Sequence, residues 1–241
     1  MNSPTPYRLL CLLSVFAALT LPGSADTLTL QNKATLTRPI TRLTSAGVIL
    51  DKNQMVSWTN LASLVFDRPP LQAPGQRLLL RNGIGLCGIL ARTTRDTLTF
   101  RSITAGELTV PWSEVTAIRY GQSNRFPDAV NLQPGEILVV LNNDERNKGT
   151  LMGATDQQLV LRTPDGMKKM ATENITWLIA CPTIFASRNV VILLRNGDRL
   201  NGPVLWNQNE FSVTVNGRTL NMDQAAIRAI INPGAAPQEK E

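Results

Sequence analysis

Residues 80–88 read Leu-Arg-Asn-Gly-Ile-Gly-Leu-Cys-Gly, and residues 194–202 read Leu-Arg-Asn-Gly-Asp-Arg-Leu-Asn-Gly. Residues 141–149 fit the same frame without a gap, and residues 30–38 fit it more weakly. The four copies share asparagine at the third position, namely Asn32, Asn82, Asn143 and Asn196. A motif that recurs along one chain at similar spacing is typical of a repeat architecture.

A second motif follows each copy of the first. It occupies residues 56–64, 110–118, 170–178 and 222–230, and it ends each time in an apolar segment. Two independent motifs that recur four times in the same order predict four tandem copies of one unit.

The pattern within the unit predicts short antiparallel strands. Apolar runs lead into Asn82-Gly83 and Asn196-Gly197, and Asn-Gly is a strong signal for a two-residue type I′ hairpin in which both residues have positive φ. Asn32 and Asn143 start weaker versions of this turn. A later glycine in the returning strand indicates a bulge or a sharp bend, at Gly88, Gly149 and Gly202.

These signals predict an all-β protein with four small antiparallel units. The predicted bounds are 26–66 for the first and most degenerate unit, then 77–120, 136–180 and 190–232. A sheet of four or five short strands is marginal on its own, so each unit is expected to bend and close on itself.

The two ends of the chain are predicted to lie outside these units. Residues 1–25 read as a signal peptide, with Arg8 before an apolar run and small residues before a cleavage site near Ala25. This predicts export to the periplasm or the extracellular space. The Pro-, Ala- and Glu-rich residues 233–241 are predicted to be a disordered tail.

The composition removes several kinds of chemistry. The 241-residue chain contains no histidine, the commonest general base and metal ligand. The cysteines of the mature chain are Cys87 and Cys181, which form either a disulfide or two free thiols in an exported protein. No metal site, cofactor or catalytic group is predicted, and the formal charge of +6 favours weak attraction to anionic polymers.

The order of features in each unit resembles the Sm-like small barrel of the Sm, LSm and Hfq proteins, a kind of SH3-like barrel. The features are an apolar strand, Asn-Gly, a bend glycine, an alternating strand such as residues 97–100, and an Ile/Val-rich closing pair. The resemblance implies units that pair through open strand edges, and it raises nucleic-acid binding as one function. The loops expected to bind RNA share no common element across the units. A four-bladed β-propeller is the alternative architecture.

Four side chains are the candidates for ligand contact. Trp58 and Trp112 occupy equivalent places in the second motif, where they either form a stacking platform for sugar or pack between the first two units. Arg81 and Arg195 precede the Asn-Gly turns and either contact an anion or remain exposed edge charges.

The sequence therefore favours a non-catalytic, exported repeat protein that acts as a scaffold or binding module in the periplasm or cell envelope. The alternatives are a carbohydrate- or cell-wall-binding protein and a nucleic-acid-binding protein. The expected partners are another envelope protein or an anionic polymer, with the units pairing among themselves through their strand edges.

Overall fold

The computed structural model describes residues 25–44, 46–71, 75–121, 126–127, 131–181, 190–202, 204–207, 210–215 and 217–232. Regular structure in these ranges consists of β-strands and single-turn 3-10 helices, which confirms the all-β prediction. No helix in the described ranges is long and apolar enough to cross a membrane. Most of the predicted signal peptide and all of the predicted tail, residues 1–24 and 233–241, lie outside them.

The strands are named by the predicted unit in which they lie, here called segments one to four. Segment one contains β1 Thr27–Leu30, β2 Thr35–Thr37, β3 Ile40–Leu43, β4 Gly47–Leu50, β5 Met55–Ser57 and β6 Leu61–Val65. Segment two contains β7 Gln76–Leu80, β8 Gly85–Thr93, β9 Thr97–Ser102, β10 Gly106–Pro111 and β11 Val115–Arg119. Segment three contains β12 Glu136–Leu141, β13 Arg146–Ala154, β14 Gln158–Thr163, β15 Gly166–Ala171 and β16 Ile175–Ile179. Segment four contains β17 Val191–Leu194, β18 Arg199–Asn201, β19 Val204–Asn207, β20 Glu210–Val215, β21 Arg218–Met222 and β22 Ile227–Ile231.

Segments two and three have the same antiparallel strand order, with the last strand beside the first. The orders are β11-β7-β8-β9-β10 and β16-β12-β13-β14-β15. Neither set closes, because the fourth and fifth strands of a segment are not paired with each other. The expectation of closed barrels was therefore wrong, and the free side of each last strand pairs elsewhere.

Proline divides the long second strand in the other two segments. Pro39 and Pro203 follow the motif asparagine by seven residues, where segments two and three have Ile89 and Thr150. Segment one has β2 and β3 in place of one long strand, and segment four has β18 and β19. Proline lacks the N–H that a ladder needs, so a continuous strand is not compatible with it. The remaining strands form two separate sheets, β3-β4-β5 and β19-β20-β21.

The last strands join the segments in pairs with one shared register. In β11 and β16, Ile118 faces Leu178, and in β6 and β22, Leu64 faces Ile230. These four residues occupy the same position of the repeat, so each junction is a local two-fold in which equivalent positions face each other. We call segments two and three the inner half, and segments one and four the outer half.

One sheet consequently runs through both halves. Its order is β15-β14-β13-β12-β16-β11-β7-β8-β18-β17-β22-β6-β1-β2, with β9 and β10 attached to β8. The alternative four-bladed propeller does not match this order, because a propeller has a separate sheet for each blade.

Two apolar clusters stabilise the sheet. The larger spans all four segments and includes the fully buried Phe100. The smaller lies on the other face of the inner half and contains Ala117, Leu138, Val140, Trp177 and Ile179. Phe126 packs edge-on against Trp177, with ring centroids 5.2 Å apart.

The motif asparagines act through their side chains. The Oδ1 atom of each accepts a hydrogen bond from the backbone N–H two residues on, at 3.0–3.1 Å. Positive φ occurs at the following residue, namely Lys33, Gly83, Asp144 and Gly197. The turn is thus a three-residue loop ending in a left-handed residue, and the two-residue type I′ turn was wrong.

The predicted bend glycines are positions of close backbone approach. A Cβ atom on Gly88, Gly149 or Gly202 would lie 2.1–2.2 Å from a carbonyl oxygen of the neighbouring strand. In β8 and β13 the register shifts come later, between Leu90 and Arg92 and between Leu151 and Gly153. The sequence thus indicated the right residues, but the bulge lies beyond them.

Candidate binding clefts at the segment junctions

Each junction is completed by two reciprocal backbone hydrogen bonds. In the inner half, Tyr120 N donates to Thr176 O at 2.9 Å and Ala180 N donates to Thr116 O at 3.0 Å. The outer half repeats the pair, from Phe66 N to Arg228 O at 2.8 Å and from Asn232 N to Ala62 O at 3.0 Å. The junction geometry is therefore shared, while its side chains differ between the halves.

The second motif begins at the end of a strand, passes through a single 3-10 turn, and continues as the last strand of the segment. The turns are Trp58–Asn60, Trp112–Glu114, Thr172–Asn174 and Gln224–Ala226. The turn separates the last strand of each segment from the strand before it. The structure places Trp58 and Trp112 at the turn's first position, half-buried beside the junction.

The first side chain of this turn is tied to a hairpin loop of its own segment. Trp112 Nε1 donates to Thr94 O at 3.2 Å, and Trp58 Nε1 donates to Thr44 O at 2.8 Å. In segment three, Thr172 Oγ1 donates to Asp156 O at 2.6 Å. A hydrogen-bond donor at this position fixes the orientation of the turn. Where the residue is tryptophan, its indole ring also presents a flat apolar surface beside the junction.

A cleft of about 720 Å³ lies beside Trp112, between segments two and three. We call it the Trp112 cleft. Its charged and polar walls come from Arg81, Arg95, Asp96, Ser113, Gln133, Glu136 and Thr150, and its apolar walls include Leu132, Ile137, Leu151 and Ala180. The Cys181 thiol is also part of the lining.

A smaller cleft of about 230 Å³ lies beside Trp58, between segments one and four. We call it the Trp58 cleft. Trp58, Leu61, Ala62, Val190, Val204, Ile230 and Asn232 line it. Trp58, Val190, Val204 and Asn232 occupy the repeat positions of Trp112, Ile137, Leu151 and Ala180, so the two clefts are equivalent sites with different walls. The two tryptophans do not share one cleft.

The two predicted anion-binding arginines lie in different places. Arg81 lines the Trp112 cleft, where its guanidinium donates to Ser113 O at 3.1 Å and to Cys181 Sγ at 2.8 Å. Arg195 donates from Nε to Pro69 O at 3.1 Å and does not line either cleft. The structure therefore brings Trp112 and Arg81 together, and it leaves Trp58 and Arg195 apart from them.

The arginine position also has a structural role that explains its residue types. Gln31 donates to Thr59 O, and Asn142 donates to Glu173 O, at the places where Arg81 donates to Ser113 O. Glutamine, arginine and asparagine share a planar N–H donor. That common property was visible in the aligned sequences and predicts this contact.

The acidic groups of the Trp112 cleft are not equivalent. Lys148 Nζ lies 2.8 Å from Glu136 Oε2, and this hydrogen bond lowers the pKa of Glu136, together with one from Gln133 N. Asp96 is exposed at the opposite wall, next to the exposed Arg95. Among the described residues, no group of three or more Cys, Asp or Glu side chains is placed to hold a metal ion.

Cys87 and Cys181 are free thiols in the structure. Cys181 Sγ accepts from Arg81, whereas Cys87 Sγ lies 3.4 Å from Asn196 O at the contact between the halves. Burial, followed by the charge and hydrogen bonding of Asp198, raises the pKa of Cys87 to about 11. A thiol with so high a pKa has little thiolate at neutral pH and is a poor nucleophile.

Asp198 is a structurally important residue that the sequence analysis missed. It is fully buried and accepts hydrogen bonds from Cys87 N, Thr104 Oγ1 and, at 3.1 Å, Asn196 Nδ2. These bonds join segment four to segment two, beside the single β8–β18 pair at Gly85 and Arg199. The available signal was an aspartate where the other copies have Ala34, Ile84 and Glu145.

Comparison with known proteins yields no match: no protein-family model matches the chain, and no curated protein matches it in sequence. The clefts themselves are therefore the features that indicate a function.

Proposed function

We propose that this protein is an exported, non-catalytic binding protein of the periplasm or cell envelope, built from four quasi-equivalent Sm-like units. The observation that carries the proposal is the pair of equivalent clefts at the two segment junctions. Repeated two-fold junctions support a rigid scaffold, because each is held by a ladder of strands and two reciprocal hydrogen bonds.

The chemistry of the Trp112 cleft supports binding without turnover. Its two carboxylates have different surroundings, but Glu136 is stabilised in its charged form by Lys148, so it is not suited to donate a proton. The lining contains an aromatic face and several hydrogen-bonding groups, which is the usual make-up of a recognition site.

A co-sedimentation experiment tests the proposal. The mature chain from Asp26 onwards is mixed with purified peptidoglycan sacculi and with other insoluble envelope polymers, and bound protein and released fragments are both measured. We expect saturable binding to one polymer without release of fragments. Fragment release that Asp96→Asn abolishes would show an enzyme, and absence of binding to every envelope polymer would equally overturn the proposal.

Glycan binding is the second candidate, and the position of the half-buried Trp112 in a cleft with polar walls favours it. The flat ring of a tryptophan packs against the C–H groups of a pyranose, and neighbouring polar groups bind the hydroxyls.

A further inference from the structure

The two clefts differ most in charge, although they are built on the same positions. The Trp112 cleft is lined by Arg81, Arg95 and Asp96. The corresponding residues of segment one are Gln31, Ser45 and Ala46, and no charged side chain lines the Trp58 cleft among the described residues. Since the fold of the junction is shared, these charges are not needed to build it.

We propose that the Trp112 cleft binds a carboxylate-bearing sugar of an acidic polysaccharide, with the ring against Trp112 and the carboxylate at Arg81 and Arg95. This inference rests on the proposed binding function and names the class of ligand. The Trp58 cleft, which has the aromatic ring without the guanidinium groups, is the internal control.

The arginines are placed to recognise a carboxylate. Arg81 is held at the cleft wall by its bonds to Ser113 O and Cys181 Sγ, which fix the orientation of the guanidinium group. Arg95 is exposed at the loop that also carries Thr94, the acceptor for the Trp112 indole. The exposed guanidinium group of Arg95 suits a carboxylate, which it binds through parallel, charge-assisted N–H donors, and Arg81 adds a second positive charge to the same cleft.

The remaining polar groups suit sugar hydroxyls. Asp96 and Gln133 line the same cleft, and a carboxylate and an amide both accept hydrogen bonds from hydroxyl groups. Glu136 is ion-paired with Lys148, and the positive charge of Lys148 offsets that of the carboxylate. The pair therefore does not cancel the attraction of the arginines for an anion.

The charge balance favours a glycan over nucleic acid. Among the described lining residues, Trp112 is the one aromatic ring, and Asp96 is the one acid besides the Lys148-paired Glu136 that faces Arg81 and Arg95. Proteins that bind single-stranded nucleic acid use a groove that is positive along its length and several stacking rings. One aromatic face beside two guanidinium groups matches a single carboxylate-bearing sugar better than a run of stacked bases.

The probes are trigalacturonic acid, its methyl ester and neutral cellotriose, with binding measured by calorimetry and by tryptophan fluorescence. We expect saturable binding of trigalacturonic acid that weakens with added salt, and at least roughly tenfold weaker binding of the methyl ester. Arg95→Ala should weaken binding of the acid by about tenfold while leaving the methyl ester unchanged. Trp112→Ala should weaken both, and the matched Trp58→Ala should change neither.

Each other outcome has a defined meaning. Equal binding of the acid, the ester and cellotriose overturns the charge inference while supporting the proposed function. Binding of a short single-stranded RNA more tightly than trigalacturonic acid also overturns the inference, as does an unchanged affinity in Arg95→Ala. Arg95 is exposed, so this variant tests the inference even if Trp112→Ala fails to fold.

Discussion

The inner and outer halves have the same junction, but the second strand of each segment is continuous in the inner half and divided in the outer half. In the inner half, β8 and β13 are continuous nine-residue strands that carry the sheet past the bend glycine. In the outer half, the corresponding strands are divided at Pro39 and Pro203, and the outer parts form separate three-stranded sheets. The last strands thus join the segments in the same way in both halves, while the long second strand is continuous only in the inner half.

The outer faces of the two junctions differ in a related way. In the inner half, Phe126 and Leu132 pack on the cluster around Trp177. In the outer half, Val65 and Ile231 occupy the positions of Arg119 and Ile179 and remain 43% and 38% exposed. Among the described residues, the outer face of the inner junction is therefore better covered than that of the outer junction, and the inner half also contains the cleft with the charged walls.

The bend glycines should give the largest difference between the halves. A Cβ atom at Gly149 would lie 2.2 Å from Arg162 O, and one at Gly202 would lie 2.2 Å from Thr214 O. We expect Gly149→Ala to lower the free energy of unfolding by about 3 kcal/mol, because two continuous paired strands must separate. For Gly202→Ala we expect about 1 kcal/mol, because β18 already ends at Asn201 and the backbone at Gly202 can shift. Urea unfolding, with hydrogen exchange in β14 and β20, measures both.

Gly153→Ala is the matched control in the same strand as Gly149. Its Cβ atom would meet no atom within 4 Å, and its φ is not positive. Its effect should stay within roughly 0.5 kcal/mol. Equal losses of unfolding free energy for Gly149→Ala and Gly202→Ala would contradict this prediction. They would show that the divided strand cannot move to relieve the close contact between the new Cβ atom and the carbonyl oxygen.

The sequence predicted these glycines and the strand class because both depend on local patterns. Alternation, turn residues and small residues are visible in one chain, and four copies reinforce each weak signal. Closure was mispredicted because it depends on which edge pairs with which. Val115–Arg119 pairs with Ile175–Ile179 of the next segment, and no local pattern in either strand distinguishes that partner from its own β10.

The candidate site was predictable only in part for the same reason. Trp112 and Arg81 were identified from the motifs, but their meeting in one cleft follows from the pairing of segments two and three. Arg95 and Asp96 lie at loop positions that vary between the copies, with Ser45 and Ala46 in segment one, so repetition could not mark them.

The contact between the halves should give an intermediate effect. Asp198→Asn replaces an acceptor oxygen by an N–H₂ group opposite the donors Cys87 N, Thr104 Oγ1 and Asn196 Nδ2. We expect a loss of about 2 kcal/mol in the free energy of unfolding, because at least one buried donor loses its acceptor. Glu145→Gln, at the same repeat position in segment three, is exposed and should change stability little.

The same variant has a second readout in the chemistry of Cys87. Asp198 helps to raise the pKa of this thiol, so its replacement should lower that pKa and speed alkylation of Cys87 at any fixed pH between 8 and 9. Mass spectrometry of the alkylated peptides measures the rate. An unchanged rate, together with unchanged stability, would show that the halves are held together by other contacts.

The smallest expected effect concerns one repeat position at which the two halves have aromatic side chains that differ by a single hydroxyl oxygen. Tyr120 in the inner half and Phe66 in the outer half donate equivalent backbone hydrogen bonds across their junctions. The Tyr120 hydroxyl oxygen is buried and has no hydrogen-bond partner among the described residues, and burial raises the pKa of Tyr120 above its usual value. A buried hydroxyl that bonds to nothing is destabilising, so the phenylalanine of the outer half is the better residue at this position.

Tyr120→Phe should therefore raise the free energy of unfolding by about 1 kcal/mol at neutral pH, as measured by urea unfolding. Because the folded state keeps this phenol neutral, the wild-type protein retains its full stability below the pKa of an unfolded tyrosine, about 10, and loses stability as the pH rises above it. The variant lacks this alkaline loss, so its advantage should grow above pH 10. The reciprocal Phe66→Tyr adds a hydroxyl to a side chain that is only 2% exposed, so it should lower the free energy of unfolding. A stabilising Phe66→Tyr, or a destabilising Tyr120→Phe, would show that the two junctions are less equivalent in packing than their shared hydrogen bonds indicate.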